Sequence, residues 1–393
     1  HYMLGEEAAA RVALQSAVQL APPDAAWKSP AAERLRILEI DPATADAAAV
    51  KALERLGASL AEDPILQAKL AAVAERNADW PRAAAGYEKA LQQNTNFVPA
   101  IVKLAQLYAT HLNKPQQAFT LARRARTLEP NDPKIGHTLG RLALDSAQNA
   151  ADFQWAFGLL QEAARGRADD PEAQWDYARG AFALGQVDTA QATLQKVSTL
   201  HPSATRAAAV RDFEAWIALL NRPQEIAANA SRITERLKQA PDHVPALLAS
   251  ARLLEQQGKY PEARKAYEQV LKRYPLFTPA HKPLALLLSD HLNDPAAAYE
   301  QATKARTAFP KDPEIARLLG RLSYQRGEFA RAVQLLQESA PAFPQDGELL
   351  HQLGIAQYRM KQRESKATLT KALSLAPNSP LAAESKQILS ELK

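Results

Sequence analysis

The sequence predicts an all-α chain, a solenoid of stacked antiparallel helix pairs, and three observations predict it. From Asp312 to Pro344, Ile315, Leu318, Leu319 and Leu322 recur at helical spacing; after Gly327, Phe329, Ala332, Val333, Leu336 and Ser339 form a second helical face. A unit of this kind, ~34 residues long, returns along most of the chain. The composition is rich in Ala, Leu and Gln and holds only 14 Gly in 393 residues, which suits helices. One such hairpin is too small to hide its own apolar faces, so it must stack on copies of itself.

In chain order, His1-Tyr2-Met3 reads as a tag remnant outside the fold. Glu6 to about Gln19 reads as an amphipathic helix. Glu6 and Glu7 stand where a signal peptide would be basic, and Pro22-Pro23 end the helix. Two further helices, Ala31 to Glu39 and Ala45 to Ala61, flank Asp41-Pro42. Ser29 suits an N-cap and Pro30 a first helical position. Residues 1–64 are thus expected to be an atypical N-terminal cap.

Five hairpins follow in 65–241 and four in 242–377, and 378–393 is one last helix. Their markers include Ala83, Tyr87 and Ala90; Ala118, Ala125 and Pro130; Leu139, Gly140, Ala156 and Leu160; Trp175, Gly185 and Leu194. The fifth, marked by Phe213, Trp216 and Pro223, matches least well. Then come Gly258, Tyr260 and Tyr267; Leu284, Ala298 and Ala305; the Asp312 unit; and Leu353, Gly354, Leu369 and Pro377. Glu384, Lys386, Glu391 and Lys393 give the last helix a charged face fit to cap the stack. A longer period lies above the short one. Residues 79–144 align without a gap on 259–324, and roughly four in ten match, as duplication of a five-repeat block would leave them.

The Leu319-Gly320, Ala332, Leu336 and Pro344 pattern, and its recurrence, resemble the tetratricopeptide repeat of bacterial proteins. The resemblance implies a right-handed superhelix of about nine to ten repeats, whose first helices line a concave face that holds other proteins.

Other classes find little support. The seven histidines after His1 are scattered, and Glu348 with His351 is a single Glu-x-x-His where di-metal sites need two. There is no phosphate-cradling glycine loop, no nucleophile elbow and no cysteine, so neither an enzyme nor a cofactor is expected. No apolar run is long enough to span a membrane. The net charge of +5 is scattered, and a nucleic-acid reader would need a regular code that only a recurring arginine approaches. Lack of cysteine suits a bacterial cytoplasm or a periplasm.

Candidate binding residues lie on the first helices. After the small residue at the Gly320 position come Arg141, Arg179, Arg252 and Arg321. One turn earlier stand His137, Trp175, Lys282, Arg317 and His351. One turn later stand Phe182, Tyr324 and Tyr358. Arginine forks fit carboxylates and aromatics give rigid contact area, so the expectation is a basic, aromatic-dotted groove for an acidic or C-terminal peptide, or a helix. The asparagines of the family's Lys/Asn carboxylate clamp are missing. The plainer account is that these cations pair with nearby acids such as Asp145, Asp176 and Glu314. Two further roles fit the same fold. One is an assembly factor of a secretion or polymer-export complex, acting through the convex face or by self-association. The other is the recognition region of a larger enzyme.

Overall fold

The computed structural model describes residues 1–22 and 24–392, so Pro23 and Lys393 of the expectations above lie outside the described residues. Every regular element among them is helical, as the periodicity predicts. The chain forms two compact units, residues 1–181 with 192–207, and residues 182–191 with 208–393.

The first unit opens with α1 (Glu7–Leu20), α2 (Lys28–Glu39) and α3 (Ala47–Ser59). The hairpins α4 (Pro64–Arg76) with α5 (Trp80–Gln93), α6 (Val98–Thr110) with α7 (Pro115–Leu128), and α8 (Pro133–Ser146) with α9 (Ala150–Gly166) follow. The helices α10 (Pro171–Ala183) and α11 (Val187–Thr199) place residues in both units, and α12 (Ala204–Leu220) begins in the first.

The second unit holds the rest of α12 and α13 (Ala230–Gln239). Its hairpins are α14 (Val244–Gln256) with α15 (Tyr260–Arg273), α16 (His281–Asp290) with α17 (Pro295–Ala308), α18 (Pro313–Gln325) with α19 (Phe329–Ser339), and α20 (Gly347–Arg359) with α21 (Ser365–Leu375). It closes on α22 (Ala382–Glu391).

Local chemistry sets these boundaries. Asp63, Asp132, Asp294 and Asp312 each accept a backbone N–H of the helix they precede, and a proline follows each at the first helical position. That proline has no N–H to leave unsatisfied, and its φ is preset for a helix. Most of the hairpin turns hold one residue in the left-handed region. Gly258 (φ 70) and Gly327 (φ 74) supply it, and Asn113 and Asn293 do so at φ 51 and 48.

The cores are built from small residues between large ones. Ala83, Ala118 and Ala156 in the first unit, and Ala263, Ala298 and Ala332 in the second, have no exposed surface. They let paired helices approach until Leu104, Leu139, Leu284 and Leu319 are also buried, each contributing about 2 kcal/mol. At Gly140, Gly320 and Gly354 a Cβ would stand 2.9, 2.7 and 2.5 Å from a leucine of the second helix, so in these three hairpins the place is sterically reserved for glycine.

Two boundary expectations need correction. Tyr2 belongs to the fold: it lies in a short 3-10 turn (Tyr2–Leu4), and its hydroxyl donates to Asp63 Oδ1 at 3.0 Å. Ser29 and Pro30 do not start α2, which begins at Lys28 with no side-chain cap. The two residues lie inside its first turn, where proline is equally free of clashes. The last helix, α22, buries Ala382, Ser385 and Ile388 and turns Glu384 and Lys386 to solvent.

Candidate functional site

In the first unit, α8 carries His137 and Arg141 and α10 carries Trp175 and Arg179, each pair one turn apart on its helix. Asp176 lies between them and is 2% exposed. His137 Nε2 reaches its Oδ2 at 2.9 Å, and Arg179 Nη1 donates to its Oδ1 at 3.0 Å. Arg167 Nη1 donates to His137 Nδ1 at 2.9 Å. An acceptor at Nδ1 requires the proton on Nε2, so the imidazole donates to Asp176. Burial by itself would raise the Asp176 pKa. The His137 hydrogen bond and the charges of Arg179 and Arg141 outweigh it and hold the carboxyl below its usual range.

Arg179 also donates to Asp145 Oδ1 at 2.7 Å, and Arg206 donates to Glu172 at 2.8 Å while covering the Trp175 ring at 4.7 Å. Arg141 differs. It is half-buried, and it makes no hydrogen bond and no ion pair within 4.0 Å among the described residues. It faces a cavity of about 740 Å³ that Phe119, Leu142, Trp175 and Arg206 help to wall. Phe119, on the second helix α7, meets Trp155 edge-on at 5.9 Å, and Trp155 is 44% exposed. Attention to first helices alone misses Phe119 and Arg206. An aromatic one turn after the proline that opens α7, and an arginine in the first turn of α12, were the available signals.

The second unit is arranged otherwise. Lys282 sits 2.6 Å from Asp312 and 2.7 Å from Glu314; burial disfavours its charge, but these two carboxylates more than compensate and raise its pKa. Arg317 donates to Asp346 at 2.9 Å and stacks over Phe343 at 4.4 Å. Arg321 donates to Ser289 Oγ at 2.6 Å and to Asp290 Oδ1 at 2.5 Å. Arg252 donates to the Leu220 carbonyl, and the Tyr358 hydroxyl to Glu391 of α22. Tyr324 is half-buried with its edge toward Phe329 at 6.0 Å, and burial, followed by the charge of Glu384, pushes its pKa up to about 12. The cavity around Arg317 and Arg321 is about 190 Å³.

Three expectations about the groove are therefore corrected. His351 has no exposed surface: it accepts from Ser385 at 2.7 Å and donates to the Ala376 carbonyl at 3.0 Å, which makes it an internal tie to α21 and α22. Phe182 is 1% exposed and packs on Phe213 at 5.0 Å and Phe277 at 5.1 Å, because one turn beyond the groove position points into the core there. Along α16 and α18 the groove is not a free basic surface, since neighbouring acids neutralise Lys282, Arg317 and Arg321.

No helix among the described residues is long and apolar enough to cross a membrane. Three stretches, 172–204, 244–287 and 291–357, match models of the tetratricopeptide repeat. No curated protein is significantly similar in sequence. Among solved structures, the chain is similar to YrrB, described as a TPR protein with an unusual peptide-binding site, at 15% identity over 61% of this chain and 100% of that one (TM-score 0.33). It is similar to the TPR domain of P58(IPK) at 15% identity over 91% and 94% (TM-score 0.32). It is also similar to a chain of the APC/C hetero-tetramer Cut9-Hcn1 at 14% identity over 98% and 87% (TM-score 0.40).

Proposed function

Because the chain is a tetratricopeptide-repeat protein, a scaffold for contacts between proteins, we propose that it holds a partner peptide in the cavity of its first unit. One observation carries the reading: Arg141 stands without a partner in a cavity of about 740 Å³ walled by Phe119, Leu142 and Trp175. An unpaired, partly desolvated guanidinium is a standing demand for an anionic or carbonyl acceptor. Aromatic and aliphatic walls beside it supply the rigid apolar area in which peptide side chains anchor. Of the twelve groove candidates, Arg141, Trp175 and Arg179 then belong to the peptide site, and His137 supports it through Asp176. Arg252, Lys282, Arg317, Arg321, Tyr324 and Tyr358 serve chiefly to tie neighbouring helices.

The test is retention of a randomised heptapeptide library by the immobilised protein. Arg141→Ala and Trp175→Ala should each release most of the retained peptide. Arg141→Ala should do so with little change in Tm, since that side chain makes no hydrogen bond and no close ion pair among the described residues. Equal retention by the wild type and both variants would overturn the proposal.

A further inference from the structure

The internal duplication gives every residue of 79–144 a counterpart 180 positions later, so the two groove arginines can be compared on a common frame. Arg321 is held by Ser289 and Asp290 at the end of α16. The counterparts of those two residues at the end of α6 are Ala109 and Thr110, and both line the cavity that Arg141 faces. Alanine offers no acceptor. The Thr110 hydroxyl donates to the Gln106 carbonyl at 2.8 Å, carries no charge, and takes no hydrogen bond from Arg141. Arg141 is therefore unpaired because an acid is missing at one identifiable place, and the cavity around it is about 740 Å³ where its counterpart's is about 190 Å³.

We propose that Arg141 is the receptor for one carboxylate of the bound peptide, that residues 109 and 110 keep this receptor open, and that Ser289 and Asp290 hold the equivalent receptor at Arg321 shut. This rests on the peptide-binding reading above and names the group that the site recognises. The chemistry selects a single carboxylate. Arg179 and Arg206, the other guanidiniums at the cavity, are already engaged by Asp145, Asp176 and Glu172, which leaves one guanidinium with free donors. A phosphate or a run of acids would ask for more than one. The planar fork accepts both carboxylate oxygens, and an apolar residue close by in the peptide would meet Phe119 and Trp175. The carboxylate is that of an acidic side chain or that of a chain terminus.

Three heptapeptide libraries separate these sources. Each carries one fixed Phe. The first has a fixed Glu and an amidated end, the second has Gln in its place and an amidated end, and the third has Gln and a free C-terminal carboxylate. The wild type should retain a carboxylate-bearing library about tenfold better than the Gln amide, the factor expected of one charge-assisted contact. Preference for the first library identifies a side-chain carboxylate, and preference for the third a terminal one. Thr110→Asp, which rebuilds the acid of the second unit, should abolish the preference with an unchanged circular dichroism spectrum. Ser289→Ala combined with Asp290→Thr should raise the peptide bound per chain from one to two. Equal retention of all three libraries, or a preference that survives Thr110→Asp, overturns the inference. If that equal retention is lost in Trp175→Ala, peptide binding stands without carboxylate recognition. If none of the libraries is retained, both readings fall. A double variant that gains no second site overturns the closure assigned to Asp290.

Discussion

His137 Nε2 stands 2.9 Å from Oδ2 of the 2%-exposed Asp176, and the opposite oxygen of that carboxylate takes Arg179 at 3.0 Å. The three residues come from two helices of adjacent repeats, so one buried carboxylate fixes how α8 and α10 present the cavity wall. Asp176→Asn keeps the shape and removes the charge, and its single oxygen can accept from one of the two donors while its NH2 faces the other. Near neutral pH it should cost about 3 kcal/mol, in the range for breaking a buried pair. The folded-state pKa of Asp176 is depressed. Its contribution is therefore present above the unfolded carboxyl pKa of about 4 and is lost as pH falls through the folded value. Urea midpoints of wild type and variant should differ at pH 7 and converge toward pH 2. A gap as wide at pH 2 as at pH 7 would show that the charge is not the cause.

A second prediction concerns the duplicated tyrosines. Tyr87 donates to Glu75 at 2.8 Å in the first unit, and Tyr267 donates to Glu255 at 3.1 Å in the second. Both rings are at most 2% exposed, and each hydroxyl ties the second helix of a hairpin to the first. Tyr87→Phe and Tyr267→Phe should each lower stability by about 1.5 kcal/mol, the worth of a hydrogen bond to a charged acceptor. Similar shifts in chemical denaturation are expected because each hydroxyl donates to a glutamate of the partner helix. A neutral result in either would mean that water satisfies the glutamate without the tyrosine.

The fold was legible in the sequence because helical spacing and the steric need for Gly140, Gly320 and Gly354 beside a leucine are local and repeat. The site was only partly legible. The spacing of Arg141, Arg179 and Arg321 identified one face of the first helices. Asp145, Asp176 and Glu314 were recognisable as acids for the groove cations, but the spacing could not show that Asp290 and Asp346 reach Arg321 and Arg317, because those pairs are 31 and 29 residues apart and depend on how repeats stack. His351 and Phe182 share the groove spacing yet are buried, since α22 covers the first and a cluster with Phe213 and Phe277 encloses the second.

His243 gives the second unit a pH dependence on the acid side. It caps α14 by accepting the Ala246 N–H at 3.3 Å and lies edge-on to the buried Trp216 at 5.3 Å. Burial first, then the charge of Arg236, lowers its pKa from 6.5 to about 4. The folded protein keeps this imidazole neutral, whereas the unfolded chain takes a proton below about pH 6.5. Stability from this group is thus full above that value and declines as pH falls toward 4. His243→Asn retains a capping side chain and cannot titrate. The wild-type Tm should fall more steeply than the variant's between pH 6.5 and 4, and parallel curves would exclude His243 as the source.

Ala78 occupies the turn between α4 and α5 at φ 58, a conformation its counterpart Gly258 adopts at φ 70 in the turn between α14 and α15. For alanine the left-handed region brings Cβ against the following carbonyl, at a cost of about 1 kcal/mol, which glycine avoids. Ala78→Gly should therefore raise stability by about 0.5 kcal/mol, the strain relieved less the greater cost of ordering glycine from the unfolded chain. Gly258→Ala should lower it by a similar amount. A Cβ built on Gly258 meets nothing within 4 Å, so backbone strain is the only penalty there. The two substitutions exchange the residues of equivalent turns and should shift Tm in opposite directions. A drop in Tm for Ala78→Gly would mean that the entropy of the unfolded chain, and not strain in the turn, governs this position.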